Sequence, residues 1–146
     1  AEGIDVSIEI VPGVSAANAA AARLGAPLML DYTCISLSDL LVPWQIIQKR
    51  LEAVARADLV CALYNPKSKT RTEPWFRALD IFRACRPDRT PVGIATAVGS
   101  ADERLSICTL ENLADQDVSM RSIVIIGNSA SKQSGSWMIT PRGYRL

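Results

Sequence analysis

The sequence predicts an α/β protein in which helices cover both faces of one sheet, giving an αβα layered domain. Apolar runs rich in Val and Ile recur along the chain, and several lack the polar alternation of a half-exposed strand. The first runs alternate with helical patterns, and the later ones follow one another directly. This order predicts a mixed sheet whose first strands are parallel and whose later strands are antiparallel.

Length and composition limit the functional classes. A chain of 146 residues is long enough for one domain with one sizeable core. Its 49% apolar and 21% charged residues are typical of a folded globular protein. The net charge of +1 and the lack of a long apolar run lead us to expect neither nucleic acid nor membrane as a partner. The start at Ala1, without Met, suggests an excised or processed piece.

The four cysteines, Cys34, Cys61, Cys85 and Cys108, form no C-x-x-C pair, and the chain has no histidine. Both facts speak against a zinc site of the usual Cys/His type, and they exclude a catalytic histidine within this chain. We therefore predict no metal site and no catalytic residue. We expect the cysteines to be reduced core residues, which is typical of a cytoplasmic location.

Local signals place the elements. The predicted strands are 6–11, 33–38, 58–64, 91–98, 104–110, 122–127 and 136–140, and the predicted helices are 15–24, 43–57 and 74–85. Ser15 is the expected N-cap of the first helix and Gly25 follows its end. Pro43 and Pro74 open the other two helices. Apolar spacings of three and four give the second helix one buried face, formed by Trp44, Ile47, Leu51 and Val54.

The first candidate site is the start of the first helix, after a Pro-Gly turn. Ser15 and Ala16 would present free backbone N–H groups there, which suit an anion or the polar edge of a ligand. The alternative is structural, because Ala17, Ala20 and Ala21 would let the helix pack closely on the sheet. From the residues alone we favour close packing.

The second candidate is the loop after the strand 58–64. Ligands of open α/β sheets collect beyond the carboxyl ends of strands, and the turn at Asn65 lies at such an end. Lys67, Lys69 and Arg71 could meet the carboxylates of an anionic substrate, or could form an ordinary solvated basic loop.

Two further turns follow apolar runs. Asp39, next to Ser38, is either a site carboxylate or the cap of the helix entered at Pro43, and capping is the favoured role. Gly99 and Ser100 either offer backbone contacts to a ring or form a hairpin turn. Three such turns could share one rim of the sheet. A rim with no obvious acid, base or nucleophile suits a reaction that needs mainly positioning, such as methyl transfer from a sulfonium.

Five stretches carry a resemblance to a known family: "VPGVSAANAAAARLGAPL", "ISLSDLLVPW", "ALYNPKSKTR", "TPVGIATAVG" and "IIGNSAS…WMITPRGY". In this order they resemble the C-terminal half of the tetrapyrrole methylases, and specifically the subgroup that methylates C-17 of precorrin-3B or its cobalt analogue with ring contraction in cobalamin biosynthesis. The resemblance implies a two-domain enzyme that binds S-adenosyl-L-methionine between its halves and releases S-adenosyl-L-homocysteine. It also implies a tetrapyrrole substrate and a homodimer.

By this resemblance, residues 1–146 are the C-terminal domain, and the N-terminal domain with its glycine-rich G-x-G-P-G loop is absent from the chain. The chain would then supply half an active site. The alternatives are a non-catalytic dimerisation or interaction fragment, and a sister enzyme that methylates another carbon of the macrocycle.

The resemblance also assigns residues. It implies cofactor contacts at Ser15, Ala16, Leu63, Tyr64, Asn65, Ala97 and Val98. It implies substrate contacts at Ser38, Asp39, Lys67, Lys69 and Arg71. The chain departs from the subgroup in two places: Leu30 stands where the usual Gly-His-Asp has its histidine, and "TAVGSADE" replaces the usual Arg-Asn-Ala-Gly version.

Overall fold

A computed structural model describes residues 6–143. Its helices are α1 (Ala16–Leu24), α2 (Trp44–Arg56) and α3 (Glu73–Arg83), with a 3-10 helix at Glu111–Asp115. Its strands are β1 (Gly25–Ala26), β2 (Tyr32–Ser36), β3 (Val60–Tyr64), β4 (Pro91–Thr96), β5 (Arg104–Thr109), β6 (Ser122–Ile126), β7 (Lys132–Ser134) and β8 (Trp137–Ile139). All three predicted helices are confirmed to within two residues at each end.

The main sheet has five strands in the order β2-β3-β6-β4-β5. Strands β2 and β3 are parallel, and every later neighbouring pair is antiparallel. A second, small sheet has the order β1-β8-β7. The predicted change from parallel to antiparallel pairing is therefore confirmed.

Helices cover both faces of the main sheet. On one face, α2, α3 and the 3-10 helix enclose a core that includes Leu51, Trp75 and Phe82, all fully buried. On the other face, α1 encloses a smaller core that includes Ala62 and Ile125. The predicted αβα layering is confirmed. No helix within residues 6–143 is long and apolar enough to cross a membrane.

Small residues let α1 lie close to the sheet. Ala17 and Ala20 are fully buried against it. On the strand side, a Cβ added to Gly93 in β4 would lie 2.7 Å from a Leu24 side-chain carbon. The alanines and the glycine together remove the side chains that would hold the two layers apart.

Two expectations are corrected, and two short strands were not predicted. Residues 6–11 form no strand: they have no ladder partner in the described chain, and Ile8 and Ile10 are 83% and 89% exposed. An extended segment that buries no apolar surface gains nothing from strand geometry. Cys34 and Cys85 are exposed rather than in the core, whereas Cys61 is buried and Cys108 half-buried. The strands β1 and β7 were not predicted, because two residues and the polar "KQS" carry no strand pattern.

Candidate functional site

The candidate site is one edge of the main sheet, called the rim below. Strands β2, β3 and β4 point the same way, so their carboxyl ends meet there at Ser36, Tyr64 and Thr96. Strand β6 runs the opposite way and begins at the same edge, where Ser122 pairs with Thr96. The three turns expected to share one rim therefore do so.

The start of α1 stands beside the end of β3. The Ser15 side chain caps the helix, since its Oγ accepts a hydrogen bond of 3.2 Å from the Asn18 N–H. The Tyr64 hydroxyl accepts a bond of 2.9 Å from the Ala17 N–H. The Ala16 N–H has no acceptor among residues 6–143, and Ala16 is exposed. One free donor therefore remains at the helix start.

The close packing of α1 on the sheet is confirmed, and the ligand contact at Ser15 and Ala16 stays a prediction. The buried alanines of α1 pack on the sheet, whereas Ala16 faces outward. A Cβ added at Gly13 would meet no atom within 4 Å. Crowding within the described chain therefore does not require glycine there. An exposed donor beside open space leaves room for a polar group of a ligand.

The turn after β3 is tied to the turn after β2. Asn65 has a left-handed backbone with φ of 50°, a conformation that asparagine tolerates. Its side-chain amide donates to the Ser36 Oγ over 3.0 Å, and the Ser38 N–H donates to the same oxygen over 3.2 Å. Ser36 thus holds two predicted site residues, Ser38 and Asn65, in one arrangement.

Arg71 forms hydrogen bonds to the same two turns. Its Nη1 donates to the Leu37 carbonyl over 2.5 Å and its Nη2 to the Asn65 carbonyl over 2.7 Å. Its Nε lies 4.0 Å from an Asp39 carboxylate oxygen. Asp39 does not cap α2, because that helix begins after Pro43 without a side-chain cap. The favoured capping role of Asp39 is therefore wrong, and Arg71 has internal partners.

A basic cleft of about 670 Å³ opens beside the rim. Lys67 and Lys69 line it, and neither has an ion-pair partner within 4.0 Å in residues 6–143. Arg121 lines it as well and was missed by the sequence reasoning. Arg121 immediately precedes β6, and only the antiparallel placement of β6 brings that strand's beginning to this edge. Asp117 also lines the cleft and pairs with Arg104 over 3.2 Å, and Arg121 pairs with Asp102 over 3.2 Å.

Ala97 has an unusual backbone at the end of β4. Its φ of 53° is a left-handed value that costs a non-glycine residue about 1 kcal/mol or more. Its N–H donates to the Arg121 carbonyl, and its own carbonyl accepts from the Ser100 N–H and hydroxyl. The turn that follows joins β4 to β5 as an antiparallel hairpin, as one alternative predicted. Of the cofactor residues expected here, half-buried Val98 is the more accessible.

Leu63 lies apart from the other predicted cofactor residues. Its side chain is fully buried in the core formed with α2 and α3, on the face opposite Tyr64 and α1. Its backbone pairs with both neighbouring strands. Leu63 therefore positions β3 rather than presenting a side chain at the rim.

The hairpin turn is joined electrostatically to α1. The Glu103 carboxylate accepts from the Gly99 N–H over 2.9 Å and from the Arg23 guanidinium over 2.7 Å. The first bond, supported by the second, holds the pKa of Glu103 below its usual value. These contacts connect the turn after β4 to the far end of the helix whose start lies at the rim.

A model of the tetrapyrrole (corrin/porphyrin) methylases matches residues 1–114. The chain belongs to the tetrapyrrole methylase family. A probable cobalt-factor III C(17)-methyltransferase of Salmonella typhimurium is 44% identical over 98% of this chain and 59% of its own length. A precorrin-3B C(17)-methyltransferase of Sinorhizobium sp is 42% identical over 90% of this chain and 52% of its own length. This tetrapyrrole methylase chain thus spans between half and three fifths of the length of these relatives.

Solved structures agree with this family assignment. The crystal structure of the methyltransferase CobJ matches with a TM-score of 0.86 at 39% identity, over 92% of this chain and 56% of that one. A cobalt precorrin-4 methyltransferase matches with a TM-score of 0.63 at 27% identity, over 84% of this chain and 52% of that one. The resemblance drawn from the sequence motifs and the predicted fold class are both confirmed.

Proposed function

We propose that this chain is the C-terminal half of an enzyme that methylates C-17 of precorrin-3B or its cobalt analogue, and that it supplies one side of the S-adenosylmethionine and tetrapyrrole sites. The observation that carries the proposal is the identity of 44% and 42%, over nearly the whole chain, to relatives named for this reaction. We also propose a cytoplasmic location and a homodimer, as the family resemblance implies.

The cofactor would lie along the rim. The Ser15-capped helix start offers the free Ala16 N–H beside the Tyr64 ring, and Asn65 and Val98 border the neighbouring turns. When bound, S-adenosylmethionine supplies an electrophilic methyl group on its sulfonium. The chain's own residues then contribute orientation and exclusion of water, because methyl transfer from a sulfonium needs mainly positioning.

The substrate would lie against the basic cleft. Lys67 and Lys69 place two positive charges along it that have no ion-pair partner within residues 6–143, whereas Arg121 pairs with Asp102 and Asp117 pairs with Arg104. This balance favours a polycarboxylate such as a corrin precursor. Arg71 would act indirectly, since its guanidinium hydrogens already bond to the turns of Leu37 and Asn65.

Cofactor binding to the separate 146-residue chain tests the half-site. We expect calorimetry with S-adenosylhomocysteine to detect weak binding or none, because the proposed second half of the contacts is missing. Micromolar binding to the separate chain would show that this part of the proposal is wrong.

A paired substitution in the full-length gene product tests the rim. Ala16→Leu adds bulk at an exposed helix position next to the free N–H, and Ala53→Leu adds the same bulk at an exposed position of α2. We expect S-adenosylhomocysteine to bind Ala16→Leu at least about tenfold more weakly, a loss of about 1.4 kcal/mol, and Ala53→Leu to bind as the parent does. Equal affinities for the two variants would argue against cofactor binding at the start of α1.

The product decides between the candidate functions. The full-length protein, given precorrin-3B or cobalt-factor III and labelled S-adenosylmethionine, should yield a macrocycle methylated at C-17 by mass spectrometry and NMR. Methylation at another carbon would identify a sister enzyme. An absence of any methylation, together with a stable dimer, would favour the non-catalytic interaction fragment.

A further inference from the structure

A second polar cavity lies at the edge of the main sheet opposite the rim. It has a volume of about 280 Å³ and lies between the start of β4, the end of β5 and the turn after β6. We call it the distal cavity. The six residues of β4 separate the two edges by about 17 Å. The proposed cofactor and substrate contacts therefore make no use of it.

Asn128 is a buried side chain with an unused donor in this cavity. The residue is 7% exposed and lines the cavity wall. Its Oδ1 accepts from the Ala130 N–H over 3.1 Å and from the Ser131 hydroxyl over 3.1 Å. A backbone N–H can only donate, so the oxygen must be the atom facing Ala130, and the amide orientation is determined. The Nδ2 has no acceptor among residues 6–143, so the donor remains available to a ligand.

Two cations line the cavity beside this amide. Neither Arg89 nor Lys132 has a carboxylate within 4.0 Å in the described part of the chain. The Thr109 hydroxyl also lines it and accepts from the Asn112 amide over 3.1 Å, which leaves its own hydrogen free to donate. The cavity therefore presents donors and positive charge from three separate segments.

The surrounding carboxylates do not neutralise the cavity. Among residues 6–143, no Asp or Glu lines it. Asp58 approaches from behind Ser129, but its two oxygens accept from the Ser129 N–H over 3.1 and 3.3 Å, and the buried Arg86 interacts with its charge. Asp88 is exposed and adjacent to Arg89 in sequence, outside the cavity lining.

We propose that the distal cavity binds a phosphate-class oxyanion, either free phosphate or the terminal group of a phosphate monoester. A tetrahedral dianion matches a cavity lined by two cations, an amide donor and a hydroxyl donor from three separate segments. A planar carboxylate carries one charge and uses fewer of these donors. Because this site and the rim lie at opposite edges, loss of anion binding here leaves S-adenosylhomocysteine binding at the rim unchanged.

The proposal is tested by titrating anions into the 146-residue chain at constant ionic strength. The side-chain amide signals are monitored by ¹⁵N-resolved NMR. We expect inorganic phosphate to shift the Asn128 amide signal with a Kd of about 1 mM or tighter, and acetate to bind more weakly. Phenyl phosphate distinguishes the two sources. Tighter binding than inorganic phosphate indicates a monoester ligand, and weaker binding indicates free phosphate.

Four variants make the test specific. Asn128→Asp keeps the acceptor for Ala130 but replaces the donor by a negative charge, and it should weaken phosphate binding at least about tenfold. Arg89→Ala and Lys132→Ala remove exposed side chains, so they preserve the fold, and each should weaken binding about tenfold. Lys49→Ala, an exposed cation of α2, should bind as the parent does.

Three results would overturn the proposal. The first is no shift of the Asn128 amide at up to about 10 mM phosphate. The second is equal binding by the Arg89, Lys132 and Lys49 variants, which would show diffuse attraction to surface charge. The third is acetate binding more tightly than phosphate, which would exclude the phosphate class.

Discussion

Replacing Arg71 by methionine tests whether this side chain supports the rim or is free for a substrate. Arg71 donates to the Leu37 carbonyl over 2.5 Å and to the Asn65 carbonyl over 2.7 Å, and its side chain is 21% exposed. Methionine keeps much of the apolar stem and removes only the guanidinium. The substitution therefore isolates the two bonds to the turns after β2 and β3.

The expected loss of stability follows from these contacts. A hydrogen bond from a charged donor contributes about 1.5–3 kcal/mol when buried. Here water can partly replace the lost donor, because the guanidinium is partly exposed, so about 1 kcal/mol for each bond is appropriate. The Asp39 contact at 4.0 Å adds at most a few tenths of a kcal/mol at this exposure. We expect Arg71→Met to lower the free energy of unfolding by about 2 kcal/mol.

Urea unfolding of the 146-residue chain measures this change, with Lys69→Met as the matched control. Lys69 is an exposed cation of the same loop without an ion-pair partner in the described chain, so its replacement should change stability by less than about 0.5 kcal/mol. If Arg71→Met and Lys69→Met are equally stable, the supporting role of Arg71 is wrong. Arg71 would then be available to the substrate, as the resemblance implied.

Three further predictions concern other contacts. Arg86→Met should lower the free energy of unfolding by about 2–4 kcal/mol, because Arg86 is 5% exposed and its guanidinium donates to the carbonyls of Val54, Leu59 and Gly127. A loss below about 1 kcal/mol would contradict this. The Glu103 carboxylate has a lowered pKa, so it stabilises the fold above its unfolded-state pKa, and this stabilisation is lost as the pH falls through the folded-state pKa. The Glu103→Gln variant should therefore lose less stability than the parent over that acid range. Equal losses in the two proteins would refute the coupling. Burial raises the pKa of the Cys61 thiol to about 11, whereas Cys85 is exposed. A disulfide reagent at neutral pH should therefore modify Cys85 at least about a hundredfold faster than Cys61. Comparable rates at the two cysteines would be inconsistent with a buried Cys61.

The local elements and the family could be predicted from the sequence because their signals are local. The Ser15 cap, the glycine after α1 and the prolines that open α2 and α3 act over one helical turn, and the structure confirms those helices. Apolar strand runs separated by helices were sufficient for the layered α/β class. The motif order was sufficient for the family, which the match over residues 1–114 shows.

Contacts between distant segments were decided only by the tertiary structure. Arg71 looked like a free cation in a basic loop, and its bond to Leu37 spans 34 positions of sequence. The segment 6–11 has the apolar pattern of a strand, but a strand also needs a neighbour, and no described strand pairs with it. Arg121 reaches the rim because β6 is antiparallel, a property of strand pairing. The sequence by itself thus determined the helices, the strands of the main sheet and the family. The folded sheet decided which side chains meet, because hydrogen bonds and charges act over a few ångströms of space whatever the separation along the chain.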